Sequence, residues 1–197
     1  MLILPRKRPH SIARIVLLLL IVCLLLGGGY LLLLVSAPAI APLAIKSIDT
    51  KTLPTPKVGD NRIIIPKIGV NIPYGTDGLN SLNHGAWWRY PERGNPIDGG
   101  NFIIAAHRFT LEGTVAGTIE KSPFYNLGKL VLNDQILIDY NGKRYTYYVD
   151  KIFDVKPTQT EIEAPSKDAK LTLYTCSLGG SSDVRLVLIA KQVMAAN

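Results

Sequence analysis

The chain has 197 residues and a formal net charge of +7, with 47% apolar and 19% charged residues. That length allows one ordinary domain plus an appendage, since domains commonly hold about 100–200 residues. The positive charge does not indicate a nucleic-acid partner: residues 1–50 carry five Lys/Arg against one acid, whereas residues 51–197 carry seventeen against fourteen with no basic run.

The chain starts with a basic segment, residues 1–14, containing Arg6, Lys7, Arg8 and Arg14, and continues into an uncharged apolar block, residues 15–35. About 20 such residues at 1.5 Å rise span a hydrocarbon core of about 30 Å, so the block predicts a transmembrane anchor. A cleaved signal peptide fits less well, because its apolar core is usually about 7–15 residues long and the small-residue sites here run straight into Pro38 or Pro42. No polar face interrupts the block, which disfavours a core helix. Four cations precede it and only Lys46 follows before Lys51. The positive-inside rule therefore leaves the N-terminus in the cytoplasm and the remainder outside, as a single-pass type II protein of the cell membrane.

Residues 36–60, with Pro38, Pro42, Pro54 and Pro56, read as an extended extracytoplasmic linker that lifts the domain off the bilayer. LPTP at 53–56 is a proline-stiffened part of it. Residues 61–197 carry the periodicity of strands. NRIIIPKIGV (61–70) is β-branched, and Pro66 predicts an edge or bulge. NFIIAAHR (101–108) is a short apolar run ending in histidine. QILIDYNGKRYTYYVDKIFDV (135–155) holds Asn141-Gly142 between two alternating segments, a strong hairpin signal. LTLYTC (171–176) and VRLVLIAK (184–191) are further strands, and SPFYNLG (122–128) is a helical turn closed by glycine. Short strands with intervening turns predict an all-β barrel or sandwich.

Cys23 lies within the apolar block, so Cys176 is the one cysteine of the outer domain and has no intradomain disulfide partner. A thiol needs a nearby base or cation to react as thiolate near neutral pH. With His10 on the cytoplasmic side, His84 and His107 remain. His84, in SLNHGAWW, sits among turn residues and reads as a rim residue. His107 ends one strand as Cys176 ends another, at the junction of rigid scaffold and accessible loop. Arg185 follows Cys176 by nine residues, so an antiparallel hairpin across SLGGSSD would return it to the level of the thiol. There a fixed cation could stabilise the oxyanion of acyl transfer. Taken singly, each has a structural reading: a buried small apolar Cys, a core His, a surface Arg.

Together these residues resemble the sortases, cysteine transpeptidases of the bacterial surface. The TLxTC signature stands as Thr172-Leu173-Tyr174-Thr175-Cys176, the downstream arginine strand as Arg185-Leu186-Val187, and the usual Gly-His-Arg as Ala106-His107-Arg108. IPKIGVNIPYG (65–75) resembles the first strand pair and GGN (99–101) the approach to the histidine strand. The resemblance covers about residues 61–191. It implies a closed eight-stranded β-barrel with short helical turns, preceded by one N-terminal transmembrane helix. It further implies Cys176 as nucleophile, His107 as general acid/base and Arg185 as oxyanion or substrate stabiliser, with Thr175, Leu173, Ala106 and Arg108 as substrate-binding residues. The partners implied are secreted proteins with an LPxTG-like C-terminal sorting signal and an amine acceptor on a peptidoglycan precursor or a pilin lysine. No cofactor or metal is indicated. Glu161, Glu163 and Asp168, in the segment 156–170, read as solvated charges rather than calcium ligands.

That segment is short and the linker has no Asp-Pro-aromatic lid, which favours a class A, D or E type. Nothing supplies an obvious third carboxylate for the histidine, and Asp183 could pair with Arg185, so a slow enzyme is expected. An L,D-transpeptidase would place His-Gly just before the cysteine and Arg two residues after it, where this chain has Tyr174, Thr175 and Leu178. A papain-like hydrolase needs a histidine after the cysteine. A tethered, non-catalytic β-barrel binding module with a core cysteine is the remaining alternative.

Overall fold

The computed structural model describes residues 11–44 and 47–193. Residues 1–10, most of the basic segment assigned to the cytoplasm, lie outside the described residues.

The barrel begins with β1 (Arg62–Ile65). Pro66 has no N–H for a ladder, so the chain turns through Pro66–Ile68 and Gly69, at φ 69°, supplies the left-handed step into β2 (Val70–Gly75). The run 61–70, expected as one bulged or edge strand, is therefore a hairpin broken at its proline, with Ile65 opposite Val70. A short helix, α2 (Gly78–Asn83), leads to β3 (Ala86–Arg89), which lies parallel to β2. The two-residue strand β4 (Gly94–Asn95) pairs with the start of β5 (Gly99–Ala105). After α3 (Val115–Glu120), the segment expected as a helical turn ends in the 3-10 turn Leu127–Lys129. β6 (Gln135–Tyr140) and β7 (Lys143–Val155) form the hairpin that Asn141-Gly142 predicted, both turn residues having positive φ (48° and 75°). β8 (Lys170–Ser177) and β9 (Gly180–Gln192) are antiparallel neighbours.

The strand order β3-β2-β1-β6-β7-β9-β8-β5 is closed by pairing of β3 with β5, giving an eight-stranded barrel on which β4 is a marginal addition. Closure leaves no long unpaired edge. The interior holds Ile63, Ile65, Phe102, Ile104, Ile136, Ile138, Tyr147, Leu171, Leu173 and Leu188, and Phe124 and Leu127 belong to the same core. On β5, β8 and β9 the alternate residues Ile103, Ala105, Tyr174 and Val187 are also buried, beneath Tyr90, Val155 and Ile162. NFIIA thus reads as an unbroken apolar run because both of its faces are covered.

The apolar block forms α1 (Ser11–Ala44), of which Ile12–Ala41 is long and apolar enough to cross a membrane. This helix continues through Pro38 and Pro42, so residues 36–44 are helical rather than part of an extended linker. A proline inside a helix leaves the carbonyl four residues earlier without its donor. For Pro42 that carbonyl is Pro38 O, and the buried Asn126 Nδ2 donates to it at 2.7 Å. Tertiary contact thereby replaces the missing bond. Residues 47–60 lie along the barrel, with Ile48 N donating to Pro66 O at 3.2 Å and Arg144 Nη2 to Pro54 O at 3.0 Å.

Candidate active site

β8 carries Cys176 to its C-terminal end, and β9 places Arg185 directly opposite. Arg185 Nη1 lies 3.3 Å from Cys176 Sγ and also donates to Ser181 O at 2.9 Å, so the guanidinium is held from two sides. Asp183 does not pair with Arg185. It accepts instead from Ser177 Oγ at 2.6 Å, and Gly179 N donates to that same hydroxyl at 3.0 Å. These bonds tighten the SLGGSSD turn and leave the arginine facing the thiol.

His107 follows the end of β5, which runs parallel to β8 with Ala105 opposite Tyr174. Continuing that register by two residues sets His107 level with Cys176. The extension is fastened by Thr175 Oγ1, which donates to Ala106 O at 2.7 Å, and by Phe124 N, which donates to His107 O at 3.0 Å. The imidazole is half-buried, with Nε2 3.3 Å from Asn83 Oδ1 at the end of α2. Lys121 Nζ donates to Asn83 O and stands near the ring. Burial, and then the Lys121 charge, hold the His107 pKa below its usual value. Among the described residues no hydrogen bond joins the ring to the Cys176 sulfur. His84 is exposed at the C-terminus of α2, with Nδ1 2.9 Å from Asn80 O, a rim position as the sequence suggested.

Of the four residues expected to bind substrate, three are buried and Arg108 is half-buried. Leu173 is 0% exposed inside the barrel, because its position on β8 alternates inward. Ala106 and Thr175 are buried and bonded to each other's strand, which makes them struts between the histidine and cysteine strands. Arg108 packs its guanidinium against the Leu127–Lys129 turn, where a Cβ on Gly128 would stand 3.3 Å from Nη2, and burial lowers its pKa.

Glu163, read from sequence as a solvated charge, is 7% exposed. Its carboxylate accepts from Tyr174 Oη at 2.5 Å and lies 3.1 Å from Arg89 Nε. The flanking backbone is held too: Arg93 Nη1 donates to Glu163 O at 2.6 Å, and Asn101 Nδ2 to Ile162 O and Ala164 O at 2.9 and 2.8 Å. Among the described residues Glu163 joins no metal-ligand cluster with Glu161 and Asp168. This latch was missed because Glu161 and Glu163 look alike in sequence. The usable signal was the other partner, Arg89, in the aromatic setting WWRYP, where its guanidinium lies 4.5 Å from the Trp87 ring centroid and 5.0 Å from that of Tyr90. A cavity of about 170 Å³ lies beneath the latched segment, lined by Arg89, Thr160, Ile162, Tyr174 and Arg185 among others.

Fold and site together define a closed barrel that presents a thiol, a guanidinium and an imidazole at one rim. The chain belongs to the sortase family: the Sortase domain model matches residues 63–193. Among solved structures, sortase A from Corynebacterium diphtheriae is 29% identical at a TM-score of 0.57, the match covering 72% of this chain and 63% of that one. A Clostridium perfringens sortase D5 transpeptidase is 26% identical at a TM-score of 0.54, covering 70% and 83%. Listeria monocytogenes sortase A, 22% identical at a TM-score of 0.55 over 70% and 89%, shares the fold. No curated protein matches the sequence.

Proposed function

We propose that this chain is a membrane-anchored cysteine transpeptidase that joins proteins bearing an LPxTG-like sorting signal to an amine acceptor. The observation that carries this reading is the rung of Cys176 and Arg185, with 3.3 Å between sulfur and guanidinium nitrogen, beside which His107 follows two residues after the end of β5. The apolar helix supports a type II anchor, with the barrel outside the cell. The class A, D or E reading rests on the short segment 156–170 and on a linker without an Asp-Pro-aromatic lid.

The Cys176 thiolate attacks the scissile carbonyl carbon, forming the C–S bond as the carbonyl oxygen takes the negative charge. Arg185 faces that oxygen. Collapse breaks the C–N bond, and His107 gives its proton to the departing amine, leaving a thioester on Cys176. An incoming amine attacks the thioester, His107 accepts its proton, and the thiolate is released. The wall formed by residues 156–169, with the cavity beneath it, selects the signal.

The test uses the full chain in detergent with a panel of LPxTG-like peptides and two acceptors, a peptidoglycan-type amine and a pilin-type lysine peptide. A ligated peptide–acceptor product is expected with one acceptor and lost in His107→Ala. A folded protein that ligates no peptide, or a His107→Ala variant with full activity, contradicts the reading.

A lowered histidine pKa disfavours the imidazolium, so slow turnover is the expected result. Lys121→Met removes a cation that opposes protonation of the ring. The His107 pKa should therefore rise, read by NMR titration of the imidazole, and the acid limb of kcat/KM should move to higher pH. An unchanged His107 titration would show that Lys121 does not tune the ring. Stability follows the same sign: the buried ring binds protons less readily than in the unfolded chain. This contribution is therefore lost as pH falls from the ordinary histidine value of about 6.5 through the lower folded pKa.

A further inference from the structure

We propose that the barrel is docked rigidly on its own anchor, so that the loop 109–114 rests in the headgroup layer and the active-site rim is held at a fixed, short height above the bilayer. This rests on the anchor reading above. The occupant of the surface is the lipid bilayer itself.

The first observation is a change of environment along α1. About 20 residues cross a hydrocarbon core of about 30 Å, yet the helix runs for 34 residues, so several turns project beyond it. Leu33 is 55% exposed and Leu34 4%. From there Leu34, Ala37 and Pro38 are buried and Ala41 is half-buried, a single stripe with the i, i+3, i+4, i+7 spacing of a packed helix face. Below that level the apolar side chains are exposed on all sides, as lipid contact requires. The projecting part is thus a packed element of the domain, and its orientation is fixed by the bond from Asn126 to Pro38 O.

The second observation locates the membrane plane. Counting about 20 residues up from Ile15, where the uncharged block begins, reaches Leu34, and Tyr30, a residue type that favours the bilayer interface, stands about one helical turn below it. Tyr30 Oη donates to Gly113 O at 2.8 Å, which sets the loop 109–114 at that same level. The loop is preformed. Thr110 N donates to Ser122 Oγ at 3.0 Å, Glu112 N to Thr118 Oγ1 at 3.0 Å, and Thr114 Oγ1 accepts from Gly117 N at 3.0 Å. It presents Leu111, 50% exposed, beside the exposed apolar face of the helix. His107 precedes Leu111 by four residues, so at most about 14 Å of chain separates them. The rim therefore reaches peptides and amines that are themselves held close to the bilayer.

The test uses the full chain in phosphatidylcholine–phosphatidylglycerol vesicles with brominated acyl chains. Leu111→Trp adds a tryptophan, and the parent chain reports the background from Trp87 and Trp88. Bromines near the headgroup end of the chain should quench the added emission, and Asn126→Leu, which removes the docking bond, should weaken that quenching. Leu111→Asp should lower transfer from a vesicle-tethered signal peptide several-fold and leave transfer from the same peptide in solution unchanged. Protein that floats with the vesicles but shows no added quenching overturns the docking and leaves the anchor intact. Protein that does not float overturns the anchor reading, and the docking with it.

Discussion

Replacing Cys176 with alanine is expected to abolish peptide transfer while leaving the barrel folded. The sulfur is half-buried at the rim, so its loss opens no enclosed cavity and the melting temperature should change little. The chemistry has no substitute, because among the described residues the other cysteine, Cys23, lies on the apolar helix. Removing the nucleophile from a site whose groups act as a unit lowers kcat by on the order of 10⁴-fold or more. Steady-state transfer assays beside a thermal melt separate the two effects. Transfer at more than a few per cent of the parent rate would mean that the thiol is not the nucleophile.

The largest effect on stability is expected from Glu163→Ala. The substitution leaves Tyr174 Oη without its acceptor and Arg89 without its counter-ion, and it loosens a segment that the backbone bonds from Arg93 and Asn101 still tie to the barrel. Breaking a fully buried ion pair costs about 3–5 kcal/mol. The Arg89 side chain is a quarter exposed, so solvent relieves part of this and about 2–4 kcal/mol is expected. For a domain of this size that lowers the melting temperature by roughly 6–15 °C. Glu163→Gln keeps an acceptor for Tyr174 and should lose distinctly less. Because the latch holds one wall of the site, KM for the signal peptide should rise more than kcat falls. A melting temperature unchanged by Glu163→Ala would show that the carboxylate does not hold the segment.

What could be read from the sequence and what could not divide along physical lines. Strands with two-residue periodicity and the Asn141-Gly142 turn were plain, because their signals are local. So was the return of Arg185 to Cys176, since a hairpin of known loop length fixes which residues face each other. The break of 61–70 at Pro66 and the two short helices were not, because Gly69 and the α2 and α3 segments take their conformation from the barrel they close. The run of α1 through Pro38 and Pro42 went against local propensity, and it is a distant side chain, Asn126, that satisfies the carbonyl. The inward placement of Leu173 and Ala106, expected from the motif to touch substrate, comes from alternation: a motif marks residues near a site without saying which face of the strand each occupies. The Glu163 latch joins three elements far apart in the chain, and nothing local separates that carboxylate from Glu161.

Intact mass spectrometry tests directly whether Cys176 carries the substrate as a thioester. The full chain in detergent is incubated with an LPxTG-like peptide in the absence of any amine, then digested to locate the adduct. The expected result is a mass increase equal to the N-terminal acyl fragment of the peptide, located on Cys176, absent in Cys176→Ala and discharged by adding an amine. A folded, alkylatable Cys176 that acquires no acyl group from any peptide of the panel would contradict it.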